Sequence, residues 1–245
     1  MNVFIGELVG TMVLVLLGDG VVANVALAKT KGHGSDWIVI AAGWGFAVAI
    51  AVYISGWASG GHINPAVTLG LAAIGDVPWA KVPTYLAGQF IGGFLGAVLV
   101  WLAYLPHWSQ TPDEAAKLGV FCTAPAIRRP AANLLCEVIG TAMLLIGVRG
   151  ILNDHNHLAE GIGPYAVGIL VFGIGLSLGG PTGYAINPAR DLAPRIAHAL
   201  LPIAGKGRCD WSYAWIPVLG PIVGGVLGAV LYHALFAGLS PLGGP

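Results

Sequence analysis

Ser59-Gly60-Gly61-His62-Ile63-Asn64-Pro65-Ala66-Val67-Thr68 has a second version further along the chain, Pro181-Thr182-Gly183-Tyr184-Ala185-Ile186-Asn187-Pro188-Ala189-Arg190-Asp191. In both, an Asn followed by a Pro predicts a helix start. The Asn side chain serves as the cap, and the Pro, which has no N–H to leave unpaired, suits the first turn. The segments these turns open, Asn64–Ile74 and Asn187–Leu200, are too short to cross a membrane. At 1.5 Å per residue, a helix of about 10 to 13 residues covers roughly half of a hydrocarbon core. Both are expected to enter the bilayer and turn back.

Outward from these turns lie six longer apolar stretches: Phe4–Leu27, Trp37–Gly56, Pro83–Tyr104, Ala131–Arg149, Gly163–Gly179 and Ala214–Phe236. Each meets or approaches the roughly 20 residues that a crossing helix needs. Between them run polar, breaker-rich connections: Lys29–Asp36, Leu105–Pro130, Ile151–Gly161 with Asp154, His155 and His157, and Ala204–Trp211. Met1 to Leu17 has no basic segment ahead of its apolar run, so it reads as a first membrane helix, not a cleaved leader. Composition agrees. Over 245 residues, 56% are hydrophobic and 9% charged, against roughly 25% charged in a soluble domain. Eleven basic and eleven acidic residues balance with no basic block, which argues against nucleic acid as a partner. Cys122, Cys136 and Cys209 are odd in number and lack metal-type spacing, so they read as free thiols, and no metal or other cofactor is implied.

The chain also repeats itself. Gly6-Glu7-Leu8-Val9-Gly10-Thr11 resembles Cys136-Glu137-Val138-Ile139-Gly140-Thr141 at an offset of 130, and Ile63 to Ala66 resembles Ile186 to Ala189 at an offset of 123. Three spans and one half-helix per copy force the second copy upside down relative to the first. The expected organisation is one channel-forming domain over 1–245: a first inverted repeat 1–104, a connecting loop 105–130 and a second repeat 131–245. Short, Pro-interrupted hydrophobic segments at matching positions of two halves point to a permeation or binding site near mid-membrane.

Through the two Asn-Pro-Ala segments, each 20 or more residues downstream of a hydrophobic span and each in a repeat with a Glu-containing first helix, the chain resembles the aquaporin superfamily along essentially its whole length. Asp191 directly after Arg190, and Pro217-Val218 in the last span, resemble the glycerol-facilitator branch, as in bacteria, and not the water-selective one. The resemblance implies an all-α membrane protein with six transmembrane helices and two re-entrant half-helices. It also implies a passive channel, not an enzyme, for glycerol and other small uncharged solutes, with water passing and protons and ions excluded. The expected partners are those solutes, the lipid bilayer and further copies of the chain in a homotetramer.

Site residues follow position by position. Asn64, Pro65, Ala66, Asn187, Pro188 and Ala189 would form the mid-pore turns, where Asn amides and positive half-helix ends orient a passing oxygen and interrupt proton hopping. Non-helical backbone in lipid survives only where it is buried or lines a wet cavity, so the carbonyls of Gly60, Gly61, His62, Gly183, Tyr184 and Ala185 would line the pore. Trp44, Gly175, Tyr184 and Arg190 would form the selectivity filter. Aromatic walls take the carbon backbone, Arg190 and carbonyls take the hydroxyls, and Gly175 leaves room; the neutral form of a short hydroxy acid is also expected to fit. Tyr184 stands where facilitators often carry Phe. Glu7 and Glu137 would brace the re-entrant loops and Asp191 its own loop, while Asp19 is expected to bond locally near the outer end of the first span, with no transport role. Gly92, Gly93, Gly96, Gly224, Gly225 and Gly228 would allow close helix packing.

Two rivals stay open: a mainly water-conducting aquaporin, and an ion-coupled transporter using Glu7, Glu137 and Asp19. The chain is expected in the cell membrane, multi-pass, with both ends cytoplasmic. That orientation puts Lys29, Lys31, Lys117, Arg128, Arg129, Lys206 and Arg208 outside against Lys81 and Arg149 inside, the reverse of the usual charge bias.

Overall fold

The computed structural model describes residues 1–158, 161–236 and 238–239. Residues 159–160, within the polar connection expected over Ile151–Gly161, and residues 237 and 240–245, at the end of the expected second repeat, lie outside the described residues. Every regular element described is helical: α1 (Asn2–Ala26), α2 (Trp37–Ser59), α3 (Pro65–Ala73), α4 (Val82–Ala103), α5 (Leu105–Trp108), α6 (Glu114–Phe121), α7 (Pro130–Ile151), α8 (Gly163–Leu178), α9 (Pro188–Leu200) and α10 (Ile216–Phe236).

Five of these helices are long and apolar enough to cross a membrane. The sixth expected span, α8, is shorter, at 16 residues. Pro164 opens it at its first turn, and Gly179-Gly180-Pro181 closes it. Helix α3 has 9 residues and α9 has 13, so both are half-length, as the short apolar segments predict.

Burial is inverted relative to a water-soluble protein. Large apolar side chains such as Ile38, Phe46, Ile50, Leu135 and Leu227 face outward, while Glu7, Asp19, Gln89, Glu137, Asp191 and Arg195 are buried. Charged groups are tolerated inside such a bundle only where they are paired or hydrogen-bonded.

With lipid as solvent, helices gain little by burying apolar side chains against each other, and small residues that let backbones touch carry the packing. On α4, a Cβ at Gly92 would sit 2.2 Å from the Leu8 carbonyl oxygen of α1, and one at Gly96 would sit 2.6 Å from that of Met12. On α10, a Cβ at Gly224 would sit 2.3 Å from the Val138 carbonyl oxygen of α7, and one at Gly228 would sit 2.4 Å from that of Ala142. The remaining two small residues seat the half-helices: Gly93 of α4 lies against the Ala189 carbonyl of α9, and Gly225 of α10 against the Ala66 carbonyl of α3. Each half-helix therefore packs on the third span of the opposite half. A cluster of Leu14, Trp44, Ile63, Val67, Leu144, Val171, Tyr184 and Ile186 surrounds the centre. A second, with Trp108, Phe121, Leu27 and Ile203, packs α5 and α6 over one end of the bundle.

Candidate functional site

The Asn64 and Asn187 caps form as the Asn-Pro pairs predict. Asn64 Oδ1 accepts from the Ala66 N–H at 2.9 Å, and Asn187 Oδ1 accepts from the N–H groups of Ala189 at 3.0 Å and Arg190 at 3.2 Å. Pro65 and Pro188 occupy the first turn in each half-helix. The caps also cross the molecule. Asn64 Nδ2 donates to the Ile186 carbonyl at 2.8 Å, and Asn187 Nδ2 donates to the Ile63 carbonyl at 2.9 Å. The amino ends of α3 and α9 thus meet head to head, and each Asn, with two amide hydrogens, keeps a second donor for the lumen. Ala66 and Ala189 stay behind, packed on the opposing third spans.

The segments entering these caps hold unusual backbone. Ile63 (φ 46°) and Ile186 (φ 43°) are β-branched residues in the left-handed region, a conformation that persists only when its surroundings over-determine it. Two carboxylates do so. Glu7 accepts from the N–H of His62 at 3.0 Å and of Ile63 at 2.7 Å, from Ser59 Oγ at 2.6 Å and from Gln89 Nε2 at 2.7 Å. Glu137 accepts from the N–H of Ala185 at 3.0 Å and of Ile186 at 2.9 Å, and from Thr182 Oγ1 at 2.7 Å. Binding the amides on the outer side turns the neighbouring carbonyls inward.

A cavity of about 150 Å³ runs along these segments, lined by Gly60, Gly61, His62, Asn64, Tyr184, Ala185, Asn187, Trp44 and Arg190 among others, with Val48, Val52, Val67, Leu144 and Val171 on the apolar side. The cavity wall does not include Gly183, which is turned toward Thr123. His62 Nδ1 lies 3.1 Å from Thr68 Oγ1, and its ring stacks on Tyr85 at 4.4 Å.

At one end, the Arg190 guanidinium lies 3.9 Å from the centre of the Trp44 ring. Tyr184 stands beside them, with Trp37 edge-on to its ring at 5.8 Å. Gly175 differs from expectation, because it lies behind Tyr184 and not on the cavity wall. A Cβ there would sit 2.8 Å from the Tyr184 Cζ and hydroxyl oxygen, so the room Gly175 leaves is taken by the tyrosine ring. Trp44 Nε1, the Tyr184 hydroxyl and Arg190 Nη1 have no hydrogen-bond partner among the described residues.

Asp191 does more than order its own loop. One oxygen accepts from the Thr123 N–H and hydroxyl, both at 2.7 Å, and the other pairs with Arg195, whose Nη2 lies 2.9 Å away. Arg195 continues to the carbonyls of Thr123, Cys209 and Asp210, tying three segments together behind Arg190. Asp19 does not bond locally: it is buried, 3.6 Å from Arg190 Nη1. Gln89 and Arg195 lie outside the motifs that the sequence marks. Of these, only Arg195 carries a signal, a charge one helical turn after Asp191. Cys122, Cys136 and Cys209 are unbridged.

Residues 1–232 match the major intrinsic protein family. The chain is 63% identical over 236 residues to a probable glycerol uptake facilitator protein of Thermotoga maritima, covering 96% of this chain and all of that one. It is 56% identical over 238 residues to a glycerol uptake facilitator protein of Bacillus subtilis, covering 97% and 86%. Among solved structures, the aquaglyceroporin from Plasmodium falciparum superposes with a TM-score of 0.85 at 31% identity, covering 96% of each chain.

Proposed function

The chain belongs to the major intrinsic protein family, and from that premise we propose that it is a passive channel conducting glycerol and other small uncharged solutes, with water as a lesser permeant. The observation that carries this reading is one cavity whose wall holds both crossed Asn caps together with Trp44, Tyr184 and Arg190. The rings of Trp44 and Tyr184 take the carbon side of a polyol. Arg190 and the carbonyls of Gly60, Gly61, His62, Tyr184 and Ala185 take its hydroxyls, opposite a wall of valines and leucines. Gly183 serves the turn and Gly175 the seat of Tyr184.

At the centre, the second amide hydrogens of Asn64 and Asn187 donate to the same passing oxygen, and the positive ends of α3 and α9 point there. A water so held cannot pass a proton along the file, and the same dipoles repel cations. Pro65, Ala66, Pro188 and Ala189 keep the two helix starts in register. Glu7 and Glu137 act as struts, not as a proton relay, because their oxygens are occupied by loop donors. Asp191 holds α9 to the connecting loop.

The test is stopped-flow light scattering of proteoliposomes. Shrinkage in a glycerol gradient followed by rapid reswelling is expected; water efflux without glycerol entry would leave only the mainly water-conducting reading, which the unpaired Tyr184 hydroxyl favours. Solute accumulating above its gradient would favour ion coupling. A short hydroxy acid is expected to enter faster as pH falls toward the acid's own pKa, because its anion is not stabilised between the aromatic walls.

The reading extends to the assembly. Segments 1–104 and 131–245 are two inverted repeats joined by 105–130, both ends of the chain are cytoplasmic, and four copies associate, each with its own pore. Cross-linking in native membranes that stops at the monomer would remove the tetramer.

A further inference from the structure

We propose that Asp19 is the positioning residue of the constriction: its carboxylate holds the Arg190 guanidinium back against α1, over the Trp44 ring, and thereby sets the width open to a polyol. This rests on the reading of Trp44, Tyr184 and Arg190 as the filter, and deepens it.

Asp19 is buried in α1, off the cavity wall, and neither of its carboxylate oxygens has a hydrogen-bond partner among the described residues. A carboxylate placed so in a membrane span is costly unless a charge answers it. The charge is Arg190, whose Nη1 lies 3.6 Å from Asp19 Oδ1. Asp191, next in the chain to Arg190, is not available for that role, since Thr123 and Arg195 fill both its oxygens.

Seen from Arg190, two contacts hold the guanidinium, and neither is a hydrogen bond: the Asp19 charge at 3.6 Å and the Trp44 ring at 3.9 Å. Both depend on the same turn of α1. A Cβ at Gly18 would lie 2.1 Å from Trp44 Cζ3, so this glycine is the floor on which the Trp44 ring rests, and Asp19 follows it directly. Helix α1 thus presents a steric seat for one filter side chain and a counter-charge for the other.

Without that charge, the Trp44 ring alone holds the guanidinium on that side, and its donors turn to water and permeant in the lumen. Arg190 then leans into the passage. A narrower and more polar constriction still passes water but slows a three-carbon solute. A merely structural Asp19, clamping α1 to α9, would affect stability and both permeants alike.

The experiment measures glycerol and water permeability on the same proteoliposomes for wild type, Asp19→Asn, Asp19→Glu, Arg190→Ala and the Asp19→Asn/Arg190→Ala double variant. In Asp19→Asn, the ratio of glycerol to water permeability is expected to fall severalfold, because the displaced Arg190 narrows the passage for the larger solute. Asp19→Glu, which keeps the charge, is expected to retain most of the ratio. In the Arg190→Ala background, Asp19→Asn is expected to change the ratio no further, because Asp19 acts only through Arg190. An unchanged ratio in Asp19→Asn overturns the proposal, as does an equal effect with and without Arg190. If Asp19→Asn fails to accumulate, Asp19→Ser takes its place: a lowered ratio supports the proposal, and an unchanged ratio overturns it. Loss of glycerol flux in the wild type would instead sink the channel reading itself, so the two failures are separable.

Discussion

At Glu137, one carboxylate gathers the N–H groups of Ala185 and Ile186 and the Thr182 hydroxyl, and Glu7 gathers four donors in the other half. A Gln at either position has one acceptor oxygen and turns an amide donor toward donors. Each backbone N–H left unpaired there costs about 1–3 kcal/mol. Glu137→Gln is therefore expected to lower the thermal midpoint of the purified channel by more than an exposed substitution such as Glu114→Gln does, and to reduce glycerol flux with it. An unchanged midpoint would deny the strut role. At Tyr184 the expectation is the opposite in kind: its hydroxyl has no partner, so Tyr184→Phe should leave stability intact while raising glycerol flux relative to water severalfold, read by paired stopped-flow traces. The Asn caps and both glutamates were legible in the sequence because each occurs twice in matching context. What Gly175 and Asp19 meet is not legible in chain order: the ring of Tyr184 for one, the guanidinium of Arg190 for the other.

Among the elements, the contact of α1 with α4 and that of α7 with α10 rest on the same device, a glycine on the third span of each half meeting a carbonyl on the first. A methyl group at Gly92 would meet backbone, which cannot turn aside as a flexible side chain can, and forcing such contacts costs typically about 1–3 kcal/mol. Gly92→Ala and Gly224→Ala are expected to lower the thermal midpoint, whereas Gly173→Ala, where a Cβ meets nothing within 4 Å, should leave it unchanged or raise it. Equal tolerance at all three sites would remove glycine contact as the packing principle. The spans themselves were legible from apolar length, to within a few residues at their ends. The shortness of α8 was less so, because Gly179-Gly180 continues an apolar run while ending the helix. Small-residue spacing marks Gly92, Gly93, Gly96, Gly224, Gly225 and Gly228 as packing positions, but not which helix each meets; all six face elements of the same chain.

Across the whole molecule, the charge distribution that argued against the proposed orientation has a structural origin. Lys117 Nζ donates to the carbonyls of Ala204 at 2.6 Å and Gly205 at 2.9 Å. Lys206 Nζ caps the carboxyl end of α9 through the carbonyls of His198, Ala199 and Leu201, where a cation also suits the helix dipole. Arg128 pairs with Asp210. These three bind the connecting loop and the segment after α9 onto the bundle, so their side follows from folding and not from the insertion bias that loop lysines and arginines usually report. Lys29, which donates to Gln110 Oε1, Lys31 and Lys81 are exposed, whereas Lys117 is buried. A membrane-impermeant amine reagent applied to intact cells is expected to label Lys29 and Lys31 and to spare Lys81 until the membrane is opened, with Lys117 slow in both conditions. Labelling of Lys81 from outside, with Lys29 and Lys31 protected, would invert the proposed topology. It would leave the pore geometry untouched but move Trp44, Tyr184 and Arg190 to the opposite side of the membrane.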